Sequence, residues 1–487
     1  MSSDEVWIRK KKNRIAKGSS PRTLDLFAGC GGLTLGFDWA GFQSIGAVEF
    51  DKDASRSHAM NFMSHLKAEE FEIHAKPKDI TTVEPEELMH TLGFKGAVED
   101  HVDVIVGGPP CQAFARVGRA KLREVASHPD AFLKDPRGNL YLRYLHYVRK
   151  LKPVALVMEN VPDVLNYGGH NIAEETCEIL ESWGYKCGYS ILNSVHYGVP
   201  QLRERMFLIA IAKSISGELR FPEPSHVFEL PKGYRDNRTA ALRKVLASGK
   251  SYFREVKPSH QGKLLPAVTA QDALDDLPVL TNHLKGRVPK VSRSNMVALS
   301  YRTAANTSYA NQMRKWRSGD QEQVLDHIIR NLPRDFPIFK LMKPGDEYPQ
   351  AHAIAQSLLQ RKLAAYTVKF GKTPARTSRT YKELEQATVP PYDVAKFPNK
   401  WLKMEAGAPA RTLMAHLGKD GYSHIHYDST QARTISIREA ARLQSFPDRF
   451  QLSGPVGSAF KQIGNAVPPL MAKAIGEELL RSLREKL

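Results

Sequence analysis

The sequence has little cysteine and no long apolar run, and each absence argues against a class of protein. Its 487 residues include four cysteines, with no CxxC pair and no cysteine–histidine spacing typical of zinc: Cys30, Cys111, Cys177 and Cys187. We therefore expect neither a disulfide framework nor a metal. No stretch approaches about 18 consecutive apolar residues, and no apolar segment follows the basic N-terminus. A membrane span and secretion are not expected, which leaves the cytosol or nucleus.

Positive charge is abundant and unevenly distributed. The chain has 70 Lys and Arg against 52 Asp and Glu, a formal net charge of +18. Residues 226–430 hold 33 basic and 18 acidic side chains, a net charge of +15, and residues 1–20 add +4. A protein that is merely basic would spread this charge more evenly. The asymmetry indicates a surface for nucleic acid.

Apolar runs alternate with helical patterns over residues 21–212. We expect strands at 23–27, 44–49, 102–106, 154–158, 189–195 and 205–212, and a helix at 140–151. The run at 154–158 is continuously apolar, which is typical of a strand covered on both faces. The sequence predicts the α/β class, with a doubly wound, mostly parallel, Rossmann-like sheet and helices on both faces.

The sequence changes character after about residue 222. Prolines and scattered basic residues dominate up to about 430 without a sustained period, with one helix expected near 321–330. Helical patterns return at 436–444 and 468–487. We expect three parts: a basic arm at 1–20, an α/β domain at 21–222 completed by 455–487, and an irregular domain at 223–454 that includes the 431–450 motif.

A glycine-rich turn, DLFAGCGG at 25–32, follows the first predicted strand. Glycines there allow close approach of a ligand to the backbone, and the following helix N-terminus favours an anionic group. Glu49 ends the second strand, where a carboxylate accepts hydrogen bonds from ribose hydroxyls. The pair indicates an adenosine-containing cofactor without saying which one, and a purely structural glycine turn is the alternative.

Two reactive groups are expected at the carboxyl ends of neighbouring strands. Cys111 follows the strand at 102–106, and Glu159 follows the one at 154–158, so a nucleophile and an acid would face one crevice. The segment QLRER at 201–205 adds two guanidiniums, those of Arg203 and Arg205. Each feature has an ordinary alternative: a buried thiol, a helix N-cap acid and a surface charge pair.

In combination and in this order, the motifs resemble those of the DNA (cytosine-5) methyltransferase family, of the bacterial modification-enzyme type. The segments that carry the resemblance are DLFAGCGG, GGPPCQAF, ENV, QLRER, RTISIREAARLQSFPD and QIGNAVPP. They cover 21–212 and 431–475, about half the chain. The resemblance implies that the α/β domain is catalytic and binds the cofactor, and that 223–454 is the target-recognition domain.

The resemblance also implies a role for each catalytic residue. The Cys111 thiolate would add to C6 of a cytosine flipped out of duplex DNA, forming a covalent intermediate. Glu159 would contact N3 and the exocyclic amine, and Arg205 would hold O2 of the base. Arg203 would support the site or contact a phosphate.

S-adenosyl-L-methionine is the cofactor that the resemblance implies, with no metal. Phe27 would stack on the adenine, Glu49 would accept the ribose hydroxyls, and Asp79 would take the adenine amino group. Other residues would complete the cofactor pocket: Gly29, Gly31, Ile80, Pro109, Asn465 and Ala466.

The expected partner is double-stranded DNA, methylated by a monomer in the bacterial cytoplasm near the nucleoid, with a cognate restriction or defence protein in the same system. An RNA cytosine-5 methyltransferase of the transfer-RNA type shares the catalytic motifs and is the nearest alternative. A catalytically silent nucleic-acid-binding protein and a Rossmann dehydrogenase are the others. A dehydrogenase would account neither for the PCQ and ENV motifs nor for the excess of positive charge over residues 226–430.

Overall fold

The centre of the molecule is a six-stranded sheet. The computed structural model describes residues 3–110, 140–167, 170–215, 218–246, 251–257, 264–286, 293, 297–317 and 322–484. Cys111 therefore lies outside the described residues. Within them, no helix is long and apolar enough to cross a membrane.

The strands of this sheet are β1(Arg22–Leu26), β2(Gln43–Val48), β3(Val104–Gly107), β4(Ala155–Asn160), β5(Tyr185–Asn193) and β6(Glu204–Ala212). Their order is β2-β1-β3-β4-β6-β5, in which β1 to β4 are parallel and β6 runs antiparallel to both neighbours. All of β3 and most of β4 are buried, so both faces of the sheet are covered. The predicted fold class is confirmed. Strand order reverses beside β1, which is where open α/β sheets bind ligands.

The helices before and between these strands are α1(Ser3–Ala16), α2(Gly32–Trp39), α3(Lys52–Phe62), α4(Ala68–Ala75), α5(Pro85–Thr91), α6(Leu140–Leu151) and α7(Ile172–Ser182). The later ones are α8(Lys232–Leu246), α9(Ala270–Leu274), α10(Ser308–Arg314), α11(Phe336–Leu341), α12(Tyr348–Phe370), α13(Arg379–Gln386), α14(Ile437–Leu443), α15(Val456–Asn465) and α16(Pro469–Arg484). Two-residue strands pair β7(His226–Val227) with β8(Leu265–Pro266), and β9(Leu299–Ser300) with β10(Gln323–Val324). Helix α16 packs against α2 and so brings the last segment of the chain to the first βα unit.

Residues 223–454, which we call the central block, have an aromatic core of their own. Trp401 and Tyr422 stack with ring centroids 4.6 Å apart, and Phe339 and Tyr348 pack around them. This cluster draws its buried residues from 336–432, whereas side chains of 435–452 lie in the main core with the sheet. The predicted domain boundaries remain a prediction. The prediction of a helix near 321–330 is wrong. In the described part of that segment, 322–330, β10 pairs with β9 and the remaining residues are not helical.

The N-terminal arm docks on the sheet domain through its basic residues. Lys11 is buried, and its Nζ donates to the carbonyl oxygens of Leu151 and Lys152 at distances of 2.9 and 2.8 Å. Lys10 and Arg14 form ion pairs with acidic side chains just before β3, at Asp100 and Asp103. Part of the charge that suggested a nucleic-acid contact therefore binds this arm to the protein.

Candidate active site

A cavity of about 1290 Å³ opens at the carboxyl ends of β1 to β4. The predicted site residues that line it are Phe27, Gly29, Glu49, Asp79, Ile80, Pro109, Glu159, Arg203, Arg205, Asn465 and Ala466. Gly31 lies behind this wall at the start of α2. Pro110, the last described residue before Cys111, also lines the cavity. The structure thus brings together residues that the sequence separates by more than four hundred positions.

The glycine-rich turn between β1 and α2 is sterically required. Gly31 has φ +103°, and a Cβ on it would lie 2.4 Å from the ring of Phe62. A Cβ on Gly32 would lie 2.2 Å from the carbonyl oxygen of Val467. Gly31 thus lets the turn approach α3, and Gly32 lets the start of α2 approach the C-terminal segment, while the same turn carries Phe27 and Gly29 to the cavity wall.

Glu49 is fixed between the glycine-rich turn and the start of α3. Its Oε2 accepts the N–H of Gly29 and its Oε1 accepts the N–H of Asp51, both at 2.8 Å. Burial raises the pKa of Glu49, and these two backbone donors oppose the increase. Because a carboxylate has about four acceptor positions, Glu49 keeps acceptor capacity for a hydroxyl group of a ligand in the cavity.

Two further contacts shape the same wall. Asp79 Oδ1 accepts the N–H and the hydroxyl of Thr81 at 2.9 and 2.7 Å, which fixes its carboxylate beside Ile80. Asn160 Nδ2 donates to the carbonyl oxygen of Pro109 at 2.7 Å and holds the end of β3 against the end of β4. The sequence reasoning assigned no role to Asn160, although it stands in the ENV motif.

Glu159 and Arg205 form an ion pair inside the cavity. Arg205 Nε lies 2.9 Å from Glu159 Oε1, and the two side chains are 14% and 13% exposed. The antiparallel register of β4 and β6 places Glu159 opposite Phe207, so Arg205 is its diagonal neighbour on the same face. Gly108 passes close by, since a Cβ there would lie 2.8 Å from Glu159 Oε2. A carboxylate and a guanidinium therefore stand beside the segment that leads to Cys111.

Arg203 is buried behind this pair and anchors a loop of the central block. Its Nη1 donates to the carbonyl oxygen of Leu413 at 3.0 Å, and burial lowers its pKa. Gln201 Oε1 accepts the N–H of Leu413 at 2.8 Å, while its amide donates to the carbonyl oxygen of Leu443. The QLRER motif thus joins β6 both to the loop that contains Leu413 and to α14. Sequence reasoning did not assign this anchoring to Gln201.

Phe50 is a cavity residue that the sequence reasoning missed. Its side chain is 73% exposed and lines the cavity directly after Glu49. An aromatic residue at the end of β2, next to the proposed ribose-binding carboxylate, was the available signal. Lys461 also lines this rim and pairs with Asp51 at 2.8 Å.

The three cysteines that the structure describes are buried: Cys30, Cys177 and Cys187. Burial raises the pKa of Cys30, which lies in the glycine-rich turn, and this disfavours its thiolate. In the ranges that the structure covers, no group of three or more His, Cys, Asp and Glu side chains forms a candidate metal site.

Comparisons with known proteins agree on one family. The family model described as C-5 cytosine-specific DNA methylase matches residues 21–481. A protein of Oceanobacillus iheyensis, provisionally named the type II methyltransferase M.OihORF3336P, is 38% identical over 95% of this chain and 96% of its own length. The type II methyltransferase M.AgeI of Thalassovita gelatinovora is 29% identical over 94% of this chain and 99% of its own. The fold is similar to the crystal structure of an E. coli prophage protein described as a DNA modification methyltransferase. That similarity has a TM-score of 0.59, 20% identity, and covers 96% of this chain and 100% of that one.

Proposed function

Because this chain belongs to the C-5 cytosine-specific DNA methylase family, and is thus a DNA (cytosine-5)-methyltransferase, we propose that it methylates a cytosine flipped out of a specific duplex sequence through a covalent bond from Cys111. The observation that carries the proposal is the Glu159–Arg205 pair beside Pro109 and Pro110. The pair shares its cavity with Pro110, the residue before Cys111 in the sequence, and an acid beside a cation suits the chemistry of a ring nitrogen and a ring carbonyl.

S-adenosylmethionine, the methyl donor that this family implies, supplies an electrophilic methyl group when bound. The residues present fit it: Glu49 keeps acceptor capacity for ribose hydroxyls, and the glycine-rich turn leaves room beside the backbone. Phe27 and Phe50 offer aromatic surface for the adenine, and Asp79 offers an acceptor for its amino group. Asn465 and Ala466 would close the pocket from the C-terminal segment.

The proposed reaction begins at C6, because C5 of cytosine is a weak nucleophile. The Cys111 thiolate forms a bond to C6, and the electron pair of the C5–C6 double bond makes C5 nucleophilic. Glu159 stabilises a proton at N3 while charge develops there, and Arg205 donates to O2. Once C5 carries the methyl group, a base removes the C5 proton. That electron pair restores the double bond and expels the Cys111 thiolate.

The target base must leave the duplex, because C6 is hidden in the base stack. Unstacking costs a few kcal/mol, which contacts to phosphates must offset. The net charge of +15 over residues 226–430 supplies cations for this purpose. We assign target recognition to residues 223–454, whose aromatic cluster around Trp401 gives the central block a folded core.

The biological role that we propose is modification within a restriction-modification or related defence system, by a monomer acting on the bacterial chromosome in the cytoplasm. The type II names of the relatives support this role. Transfer RNA is the less favoured substrate, because the matching family model is described as a DNA methylase and the basic region at 226–430 is large.

The test is a methylation map of DNA from cells that express the chain, its Cys111→Ala variant, or Cys187→Ala, a control at a buried thiol of β5. We expect 5-methylcytosine within one sequence context for the unmodified chain and the control, and none for Cys111→Ala. Methylation by Cys111→Ala would contradict the assignment of the nucleophile, and methylation confined to RNA would contradict the DNA substrate.

A further inference from the structure

The longest helix of the central block ends in a strongly basic hairpin. Residues 348–382 contain seven Lys and Arg and not one Asp or Glu. They form the 23-residue helix α12, a turn at 371–378, and the start of α13, which packs back against α12. We call residues 361–382 the basic hairpin. The nearest acids, Glu383 and Glu385, lie in the second half of α13, so residues 361–382 carry an excess of positive charge that is large for a solvated helix pair.

The hairpin extends beyond the core that supports it. The buried residues of α12 are spaced three or four apart and end at Leu363: Tyr348, Ala351, Ala355, Leu359 and Leu363. The last turns have no buried residue, and Val368 is 88% exposed. Helix α12 is about 35 Å long at 1.5 Å per residue, and the aromatic cluster contacts it only as far as Leu358, so its final two turns lie beyond the cluster.

Most cations of the hairpin have no anionic partner. Arg379 pairs with Glu383, and Lys362 donates to Thr388 Oγ1. In contrast, four exposed cations form no ion pair with any carboxylate that the structure describes: Arg361, Lys369, Lys372 and Arg376. Unpaired cations on one projecting element create a positive field that attracts a polyanion.

We propose that the basic hairpin binds the phosphate backbone of duplex DNA next to the recognition sequence, and that it adds affinity without reading bases. This inference rests on the proposed function, because it takes the substrate duplex as the polyanion. The N-terminal end of α12 is tied to the active-site side of the molecule. Glu347 pairs with Arg411, three residues before Met414, which lines the catalytic cavity. A helix of about 35 Å from that point spans about ten base pairs, more than one recognition sequence needs.

The test compares DNA binding by two variants that lose the same charge. One carries Arg361→Gln, Lys369→Gln, Lys372→Gln and Arg376→Gln. The control carries Lys67→Gln, Lys76→Gln, Lys95→Gln and Lys213→Gln, which are exposed lysines of the sheet domain. Affinity is measured against salt concentration for cognate duplexes of about 14 and about 40 base pairs, lengths chosen to exclude or include the flanking phosphates.

For the hairpin variant we expect affinity for the long duplex to fall roughly tenfold or more, with a salt slope shallower by about 3 to 4. On the short duplex its binding and methylation should stay within about twofold of the unmodified chain, which also shows that it is folded. The control should match the unmodified chain on both lengths. Equal salt slopes for the two variants on the long duplex, or a loss seen only with duplex RNA, would overturn the proposal. Failure of the unmodified chain to methylate either duplex would instead count against the proposed function.

Discussion

The Nε of Arg205 lies 2.9 Å from Oε1 of Glu159, across the antiparallel boundary between β6 and β4. Neither side chain is free to turn to solvent, because both are largely buried in the catalytic cavity. In the reaction that we propose, the pair would present an acceptor or acid and a fixed donor to the same bound base. Each side chain therefore fixes the orientation of the other in the ligand-free protein.

Removing the charge of Glu159 should slow the chemical step. In Glu159→Gln the side chain keeps its size but loses the carboxylate that would stabilise a proton at N3, so we expect kcat to fall about 10²- to 10³-fold. Steady-state kinetics with labelled S-adenosylmethionine measure this loss. Glu178→Gln, at an exposed position of α7, is the control and should retain full activity. A kcat for Glu159→Gln within twofold of the control (about the error of such assays) would contradict the role of Glu159.

Glu49 should control affinity for the methyl donor. Hydrogen bonds to a charged group contribute about 1.5–3 kcal/mol, so Glu49→Gln should weaken S-adenosylmethionine binding by roughly tenfold or more. Because burial raises the pKa of Glu49, acidification should weaken binding at a higher pH than it would for an exposed glutamate. Calorimetric titration at several pH values tests both points. Unchanged affinity in Glu49→Gln, with the exposed-site variant Glu69→Gln as reference, would remove Glu49 from the cofactor site.

Asp25 should make stability depend on pH near neutrality. Burial raises the pKa of Asp25 to about 7, from an ordinary value of 3.8. At this group the native state then binds more protons than the unfolded state between these values, so the contribution of Asp25 to stability falls as pH rises from about 4 to about 7, by roughly 1.4 kcal/mol per pH unit at most. Asp25→Asn keeps an acceptor for the Thr34 hydroxyl, which lies 2.7 Å from Asp25, but cannot ionise. In denaturant unfolding over this range, the stability of the unmodified chain relative to Asp25→Asn should fall as pH rises, and a constant difference between the two profiles would contradict the assignment.

A buried ion network should matter far more for stability than an exposed pair beside it. Arg442 is fully buried and donates to both Asp276 and Asp448. Arg442→Met leaves two buried carboxylates without this partner and should cost about 3–5 kcal/mol. Arg302→Met removes the exposed partner of the adjacent Asp275 and should cost less than about 1 kcal/mol. Comparable unfolding midpoints for the two variants would show that the network is not stabilising.

Continuous apolar runs made the sheet predictable. The run at 154–158 is apolar on both faces, and the structure places it in β4 between two other strands. Helix α6 begins and ends at the expected residues because its apolar side chains repeat at helical spacing. Glu49 and Glu159 could be named from their places at the ends of predicted strands, whereas other cavity residues, such as Asp79 and Asn465, could be named only from the family resemblance.

The central block was much harder to predict, for physical reasons. Two of the five buried residues of α12 are alanines, and beyond Leu363 the helix contacts no core that would impose an apolar pattern. The Glu159–Arg205 contact depends on the register of two antiparallel strands, which no local pattern sets. The anchoring by Gln201 depends likewise on a loop more than two hundred residues later.

Covalent trapping tests the central claim most directly. The chain is incubated with S-adenosylmethionine and a cognate duplex in which the target cytosine is replaced by 5-fluorocytosine, and the products are separated under denaturing conditions. Fluorine at C5 cannot leave as a proton does, so the bond between Cys111 and C6 should persist. We predict a denaturation-resistant protein–DNA adduct, mapped to Cys111 by peptide analysis and absent from Cys111→Ser. An active preparation that forms no adduct, or one linked through another residue, would contradict the account.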